Sequence, residues 1–345
     1  MVPDKPNERN PMLKIAIVGA GNIGKNHARC YGQNPETEVV AFCDIDSERA
    51  EAAAKEHDCS AFSSLKEMLG SGTAMDAASV CTAGEENGGH HYEPTMALLS
   101  AGIPVLGEKP ISNKIPEARE MVALAKEKGL RYGINLNHRF TPAAARAKAW
   151  LDEGRLGEVH FVNMRMWINN KNESSPHFHM RALHPHSIDI MRYFGGDIVR
   201  VHAFFKKGKG RTIWSNVQVN LQFADGAIGH LLGSYDGGGP GTPWGLETCE
   251  VVGSDARVII DDACEKLTFS PRFSPEQESY ACLGGMKSFG ETFQSRIDAW
   301  VRDLVQETPP DEIQGSGEEA LKAQCVIEAA IESWENGTVV TLDQR

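Results

Sequence analysis

Residues Lys14-Ile-Ala-Ile-Val-Gly19-Ala-Gly21-Asn-Ile-Gly24 set a short apolar run directly against a GxGxxG loop, and Asp44 follows Gly24 by twenty positions at the end of a second apolar run. Few folds accommodate that order. A strand must turn sharply into a helix, and the spacing is that of a βαβ unit that holds a dinucleotide. Gly19 is read as the tight turn, Gly21 as the point where backbone approaches a pyrophosphate, and Gly24 as the close contact between helix and sheet. Asn22, Ile23 and Gly24 open the helix, so their N–H groups and the positive end of its dipole face the same pyrophosphate. Asp44 either accepts hydrogen bonds from both ribose hydroxyls, which favours NAD over NADP because a 2′-phosphate is repelled, or caps the helix beginning near Ser47. Asp46 or Ser47 fills that second role equally well.

From residue 15 to about 135, apolar runs alternate with helix-like stretches. The pattern predicts strands over residues 14–18, 39–43, 77–81, 104–107 and 131–134, and helices over 22–32, 47–57, 64–69, 92–101 and 115–128. Such alternation implies a parallel sheet covered on both faces, with ligands at the carboxyl ends of its strands. The glycine loop, Asp44, Thr82 and Glu108 all fall at such ends.

Beyond Thr141-Pro142 the period changes. After a helix over 143–153, strands of period two are predicted over 159–168, 215–223, 227–235, 246–253 and 257–260, with Asp225-Gly226 as a hairpin turn. Val217, Val219, Leu221 and Phe223 share one face, and Asn216, Gln218, Asn220 and Gln222 the other. The amide face is either wet or meets another subunit. The fold class is thus α/β plus α+β: an N-terminal Rossmann parallel sheet and a C-terminal domain on an open antiparallel sheet. Residues 1–11 read as a disordered tail, 12–137 as an NAD-binding domain, and 138–345 as a substrate-binding and oligomerisation domain. Its closing helices, 291–307 and 317–336, are free to pack back on the first domain.

At 345 residues the chain exceeds what one core usually serves. A net charge of -12 argues against a nucleic-acid surface, and the short basic stretch from Lys206 to Arg211 reads as a solvated turn. No run is long and apolar enough to predict a membrane span, and the first eleven residues lack the apolar segment of a signal peptide. The eight cysteines include no CxxC pair and read as reduced core thiols, so a cytoplasmic location is expected.

Glu108-Lys109-Pro110 follows the strand-like Ile103-Pro-Val-Leu-Gly107, which puts a lysine at a strand's carboxyl end on the nicotinamide side of the crevice. Together with the GxGxxG loop, this triplet, the later Asn137-His138-Arg139-Phe140-Thr-Pro142, the stretch Glu153-Gly-Arg-Leu-Gly157-Glu-Val and the segment His186-Ser-Ile-Asp189-Ile-Met-Arg-Tyr-Phe-Gly195 resemble the glucose–fructose oxidoreductase/inositol dehydrogenase (Gfo/Idh/MocA) family. The likeness spans nearly the whole chain. It implies an NAD(P)-dependent oxidoreductase acting on a sugar, cyclitol or related polyol, paired as a homodimer or homotetramer through the second sheet. It also implies that Lys109 contacts the reacting oxygen and that His186 exchanges the proton. Elementary chemistry agrees with that division, since an imidazole with a pKa near ~6.5 works in either direction at neutral pH while a lysine near ~10.4 is the steadier cation. The alternative for His186 is a cap or core residue, just after Pro185 in the first turn of a helix.

Two departures from the family pattern stand out. The aspartate that usually precedes the histidine by four residues is Ala182 here, and the loop from Thr82 to His91, whose two ends still fit the family, is long and glycine-rich. That loop either reshapes cofactor contacts or is a longer surface turn. Besides Lys109 and His186, the substrate candidates are His138, Arg139, Arg165, Trp167, Arg181 and His184, with Asn163 on the same strand face as Arg165. Trp167 and Trp244 either stack on a sugar or lie buried. Four histidines, 177, 179, 184 and 186, fall within ten residues, but no cysteine or paired carboxylate completes a ligand set, so no metal is expected. The rival readings are an NAD-responsive regulatory protein on the same scaffold, suggested by Ala182, and a methyltransferase, in which the Glu-Lys-Pro triplet has no place.

Overall fold

The structure is a computed structural model describing residues 12–84, 86–237, 246–262, 265–286 and 289–342. The expected tail, Trp244 and nearly all of the glycine loop around it lie outside these residues. The first sheet holds six parallel strands: β1 (Leu13–Val18), β2 (Thr37–Cys43), β3 (Ser60–Phe62), β4 (Ala77–Val80), β5 (Val105–Gly107) and β6 (Tyr132–Ile134). Their order, β3-β2-β1-β4-β5-β6, reverses between β1 and β4 and opens a crevice at the carboxyl ends of those two strands. Ile15 to Val18 are buried on both faces, which is why β1 reads as an unbroken apolar run rather than an alternating one. Five helices fill the crossovers: α1 (Asn22–Gln33), α2 (Ser47–Glu56), α3 (Leu65–Gly70), α4 (Tyr92–Ser100) and α5 (Ile115–Lys128). Strand β3, three residues long, carries too little pattern to be predicted.

A 3₁₀ turn at Asn137–Phe140 leads into α6 (Pro142–Asp152), capped by the Thr141 hydroxyl, and then into the second sheet. This sheet has nine strands: β7 (Val159–Trp167), β8 (Ile198–Lys206), β9 (Asn216–Phe223), β10 (Ile228–Ser234), β11 (Leu246–Gly253), β12 (Ala256–Asp261), β13 (Lys266–Pro271), β14 (Glu278–Ala281) and β15 (Val340–Thr341). In the order β14-β13-β12-β11-β7-β10-β9-β8-β15, every pairing is antiparallel except β7 with β10, where Ile228 lies beside Phe161. The expected antiparallel sheet is therefore mixed at its centre. Between β7 and β8 runs α7 (Phe178–Gly195), and it carries the chain across so that β10 returns alongside β7 in the same direction. Asp225-Gly226 makes the predicted hairpin, with Gly226 at φ +98 and the Asp225 carboxylate accepting from Ala227 N–H at 3.0 Å.

Val217, Val219, Leu221 and Phe223 bury against α7 and the last long helix, α9 (Gly317–Asn336). The opposite face is uncovered and mixes its amides with Phe161, Phe204 and Ile228, each more than two-fifths exposed. The preceding helix, α8 (Phe289–Val305), sends Phe293, Ile297, Trp300 and Val301 into one core with Ile15, Ile17 and Leu106. A segment from the end of the chain thus completes the packing of the first sheet.

Candidate active site

The glycine loop leaves β1 with Gly19 at φ +98, and a Cβ there would sit 2.7 Å from the Cys81 backbone. Gly21 stands at the N-cap of α1 with no side-chain cap, so the first N–H groups of the helix, at Asn22, Ile23 and Gly24, have no intrahelical acceptor. A Cβ on Gly21 meets nothing within 4 Å, whereas one on Gly24 lies 1.8 Å from the Gly19 carbonyl oxygen. Uncapped donors, a helix dipole and open space above Gly21 make a cradle that fits a pyrophosphate. Asp44 ends β2 beside this loop. Its carboxylate accepts from Ala20 N–H at 2.7 Å and Asp46 N–H at 3.0 Å, while α2 is capped by Asp46 instead.

Glu108 and Lys109 follow β5 at the same end of the sheet. The buried Glu108 carboxylate pairs with His27 Nε2 at 2.9 Å and accepts from Asn135 Nδ2 at 2.6 Å and from Lys109 N–H at 3.2 Å. Burial alone would raise its pKa, but the hydrogen bond and charge of His27, the Lys109 charge and the Asn135 hydrogen bond together hold it below its usual value. His27 in turn meets Ser79 Oγ at 3.2 Å, which meets Tyr31 OH at 2.9 Å. Sequence reading missed His27; its spacing of three from Gly24 marks it as facing the sheet. The Lys109 ammonium donates to the Ala182 carbonyl oxygen at 2.9 Å, and burial lowers its pKa. Where the family pattern has an acidic side chain, a backbone carbonyl holds this lysine.

A cavity of about 560 Å³ opens at this end of the sheet, lined by Ile23, Thr82 and Lys109 from the first half of the chain and by Met166, His186 and Tyr235 from the second. His91, Glu108, Ala182 and Glu247 also line it. His186 lies midway along α7, not in a first turn, because the helix begins at Phe178 and continues through Pro185. Pro185 forfeits one backbone hydrogen bond, and burial of every α7 residue except Arg181 and Tyr193 outweighs that loss. The His186 ring stacks on His138, with centroids 4.4 Å apart and planes 15° from parallel. Burial first, then the nearby His138, Lys109 and His184, drive the His186 pKa well below that of a free imidazole, so the ring is neutral.

The loop over 82–91 is tied into both domains. Thr82 Oγ1 donates to the His90 carbonyl at 2.7 Å, and the His91 ring bridges the carbonyls of Thr82 and Pro110 at 2.7 and 2.8 Å. Glu86 is buried, accepts from Ser175 Oγ, and pairs with Arg181 at 2.8 Å. A mere surface turn would make no such contacts.

Several sequence candidates lie elsewhere. Arg139 is buried in ion pairs with Asp189 and Glu319, so the acidic residue one turn beyond His186 faces Arg139. Arg181 is spent on Glu86 and Glu328. His184 is fully buried against Ser187 Oγ at 3.0 Å and His179 Nε2 at 3.1 Å, and burial pushes His179 down to about 3. Arg165, Asn163 and Trp167 point to the uncovered face of the second sheet, and it is Met166 that faces the cavity. Period two identified a shared face correctly but not which face α7 covers. Among the described residues no group of three or more His, Cys, Asp or Glu side chains is gathered to hold a metal ion, and no helix is long and apolar enough to cross a membrane.

Comparison with known proteins bears on this architecture. Residues 13–136 match the model of the oxidoreductase family with an NAD-binding Rossmann fold, and residues 144–259 match the GFO/IDH/MocA C-terminal domain. Inositol 2-dehydrogenase of Rhizobium meliloti is 24% identical over 345 aligned positions, covering 93% of this chain and 96% of that protein. D-glucoside 3-dehydrogenase of Escherichia coli is 32% identical over 155 residues, which span 44% of this chain and only 43% of that protein. The solved structure of levoglucosan dehydrogenase in complex with NADH and L-sorbose superposes with a TM-score of 0.86 at 18% identity, covering 97% of this chain and all of that one. With an NAD-binding Rossmann domain followed by the matching C-terminal domain, the chain belongs to the Gfo/Idh/MocA oxidoreductase family.

Proposed function

We propose that the protein is an NAD-dependent dehydrogenase that moves a hydride between nicotinamide and a secondary hydroxyl or carbonyl of a sugar, cyclitol or related polyol. The observation that carries this reading is the shared cavity, which a half-buried ammonium and a buried, neutral imidazole line together with Ile23 and Thr82 from the cofactor side. Gly19, Gly21, Asn22, Ile23 and Gly24 would hold NAD at its pyrophosphate and Asp44 at its ribose, with Thr82, His91 and Glu108 beside it, and the nicotinamide would supply the hydride acceptor. His186, neutral in the resting site, takes the hydroxyl proton as the C–H bond breaks, and returns it in the reverse direction. Lys109 offsets the negative charge that develops on the oxygen, and the water-poor setting strengthens that interaction. The relatives' names support a polyhydroxylated substrate, and Asp44 supports NAD over NADP.

The open face of the second sheet, with Phe161, Phe204 and Ile228 exposed beside amides, supports pairing of two or more copies there. The seven described cysteines are all unpaired, which supports a reducing, cytoplasmic setting. A panel of cyclitols, aldoses and glycosides, followed by NADH or NADPH absorbance, tests the proposal. At least one polyol should reduce NAD faster than NADP, and Lys109→Met should abolish turnover while leaving NADH binding within about threefold. A Lys109→Met enzyme with wild-type turnover removes that residue from the chemistry.

A further inference from the structure

Glu247 stands in no motif, yet the fold brings it into the cavity. It is the second residue of β11, paired in register with Met166 of β7, and cross-strand partners project from the same face of a sheet. Met166 and Glu247 both line the cavity that holds Lys109 and His186. One Glu247 oxygen lies 2.8 Å from Nδ1 of His138, and the His138 ring stacks on that of His186. Two carboxylates line the cavity among the described residues, and they differ in what remains to them. Glu108 is occupied at one oxygen by His27 and Asn135 and at the other by Lys109 N–H. Glu247 has one oxygen close to the His138 ring, and a carboxylate with two oxygens offers about four acceptor positions. Ala182, facing the same space, contributes no acceptor through its side chain.

A nearly buried carboxylate with acceptor capacity left over, in a cavity also lined by Lys109 and His186, calls for a donor from the ligand. Hydroxyl groups are such donors; a carbonyl, ether or alkyl group is not. We propose that Glu247 is a specificity-determining residue that accepts a hydrogen bond from a second hydroxyl of the substrate, one that is not oxidised, so that the site selects polyhydroxylated molecules over simple secondary alcohols. The proposal rests on the dehydrogenase reading given above. A site built to bond a hydroxyl rejects the analogue that lacks it, because the buried acceptor is then left without its partner. The same carboxylate lies beside the His138 ring, against which His186 is stacked.

The test compares the best polyol of the panel with its deoxy analogues and with cyclohexanol, in the wild type and in Glu247→Gln and Glu247→Ala. Loss of the hydrogen bond predicts that kcat/KM for the polyol falls by about ten- to a hundred-fold in Glu247→Ala, and by less in Glu247→Gln, which keeps an amide oxygen as acceptor, mainly through KM. The polyol-to-cyclohexanol ratio should collapse by the same factor, with NADH affinity, read by nicotinamide fluorescence, unchanged. In the wild type alone, one deoxy analogue should lose a comparable factor, which keeps the proposal testable if a variant does not fold. A polyol preference that survives both substitutions in folded, NADH-binding protein overturns the role of Glu247 and leaves the dehydrogenase reading standing. So does a wild type that oxidises the polyol and all its deoxy analogues equally well. A wild type that oxidises nothing in the panel overturns both.

Discussion

The three loop glycines impose different constraints, and one of them separates ligand binding from folding. At Gly21 the backbone has φ -73, a conformation open to any residue, and an added Cβ meets no atom within 4 Å. Gly21→Ala should therefore fold as well as the wild type, and loss of unfolded-chain entropy should add about 0.4–1 kcal/mol of stability. The empty space is the space into which the pyrophosphate must come. A methyl group there separates the phosphate oxygens from the N–H groups of α1, and loss of two charge-assisted hydrogen bonds at about 1.5–3 kcal/mol each predicts an NADH affinity lower by about 10² to 10⁴-fold. Gly24→Ala is the contrast. Its Cβ would lie 1.8 Å from the Gly19 carbonyl oxygen, 1.6 Å short of ordinary contact at 3.4 Å, and the obstacle is backbone. That substitution should cost about 1–3 kcal/mol of stability as well as affinity. Thermal unfolding and fluorescence titration with NADH read the two effects independently. Undiminished NADH binding by Gly21→Ala refutes the cradle, and a melting temperature well below wild type refutes the claim that the space is reserved for a ligand.

The pH profile and a buried ion pair offer two further checks. His186 must be neutral to accept a proton and its pKa is depressed, so the acid limb of kcat/KM for alcohol oxidation should lie below the ordinary imidazole value of ~6.5. Lys109 must be charged and its pKa is also depressed, so the alkaline limb should lie below ~10.4; an acid limb above the free imidazole value counts against the burial argument. Arg139→Met strands the Asp189 carboxylate, which burial already pushes up and Arg139 opposes, and should cost about 3–5 kcal/mol in urea unfolding. A loss under about 1 kcal/mol, or no recovery on adding Asp189→Leu, would show that the pair is not what holds α7 to the 3₁₀ turn.

Much of the first half was readable because its signals are local. A strand buried on both faces is a continuous apolar run, the turn into α1 needs glycine where φ is positive, and both lie within a dozen residues of each other. Helices α8 and α9 and the β9–β10 hairpin announced themselves in the same way, through period and turn chemistry. Strand β10 did not announce its parallel partner, since period two records which residues share a face and not which strand lies alongside. For the same reason period two groups Arg165 with Trp167 but does not say that their face lies away from the cavity that Met166 lines. Pro185 suggested a helix start, but packing on every side carries α7 straight through it.

The cofactor half of this protein is thus written in short-range order: glycines, an apolar strand and an acid twenty residues on suffice, because backbone geometry and a helix terminus do the binding. The substrate half is not. His27 with Glu108, Arg139 with Asp189 and Glu319, Glu86 with Arg181, and Glu247 with His138 are each separated by 50 residues or more, and each pair comes from two different elements that the fold brings together. Polar side chains in a buried setting must find partners wherever the fold delivers them, and a linear pattern carries no record of that delivery. The resemblance pointed to His186, but only the tertiary structure showed that His179 and His184 are bound away in the core and that Glu247 comes to line the same cavity as Lys109 and His186.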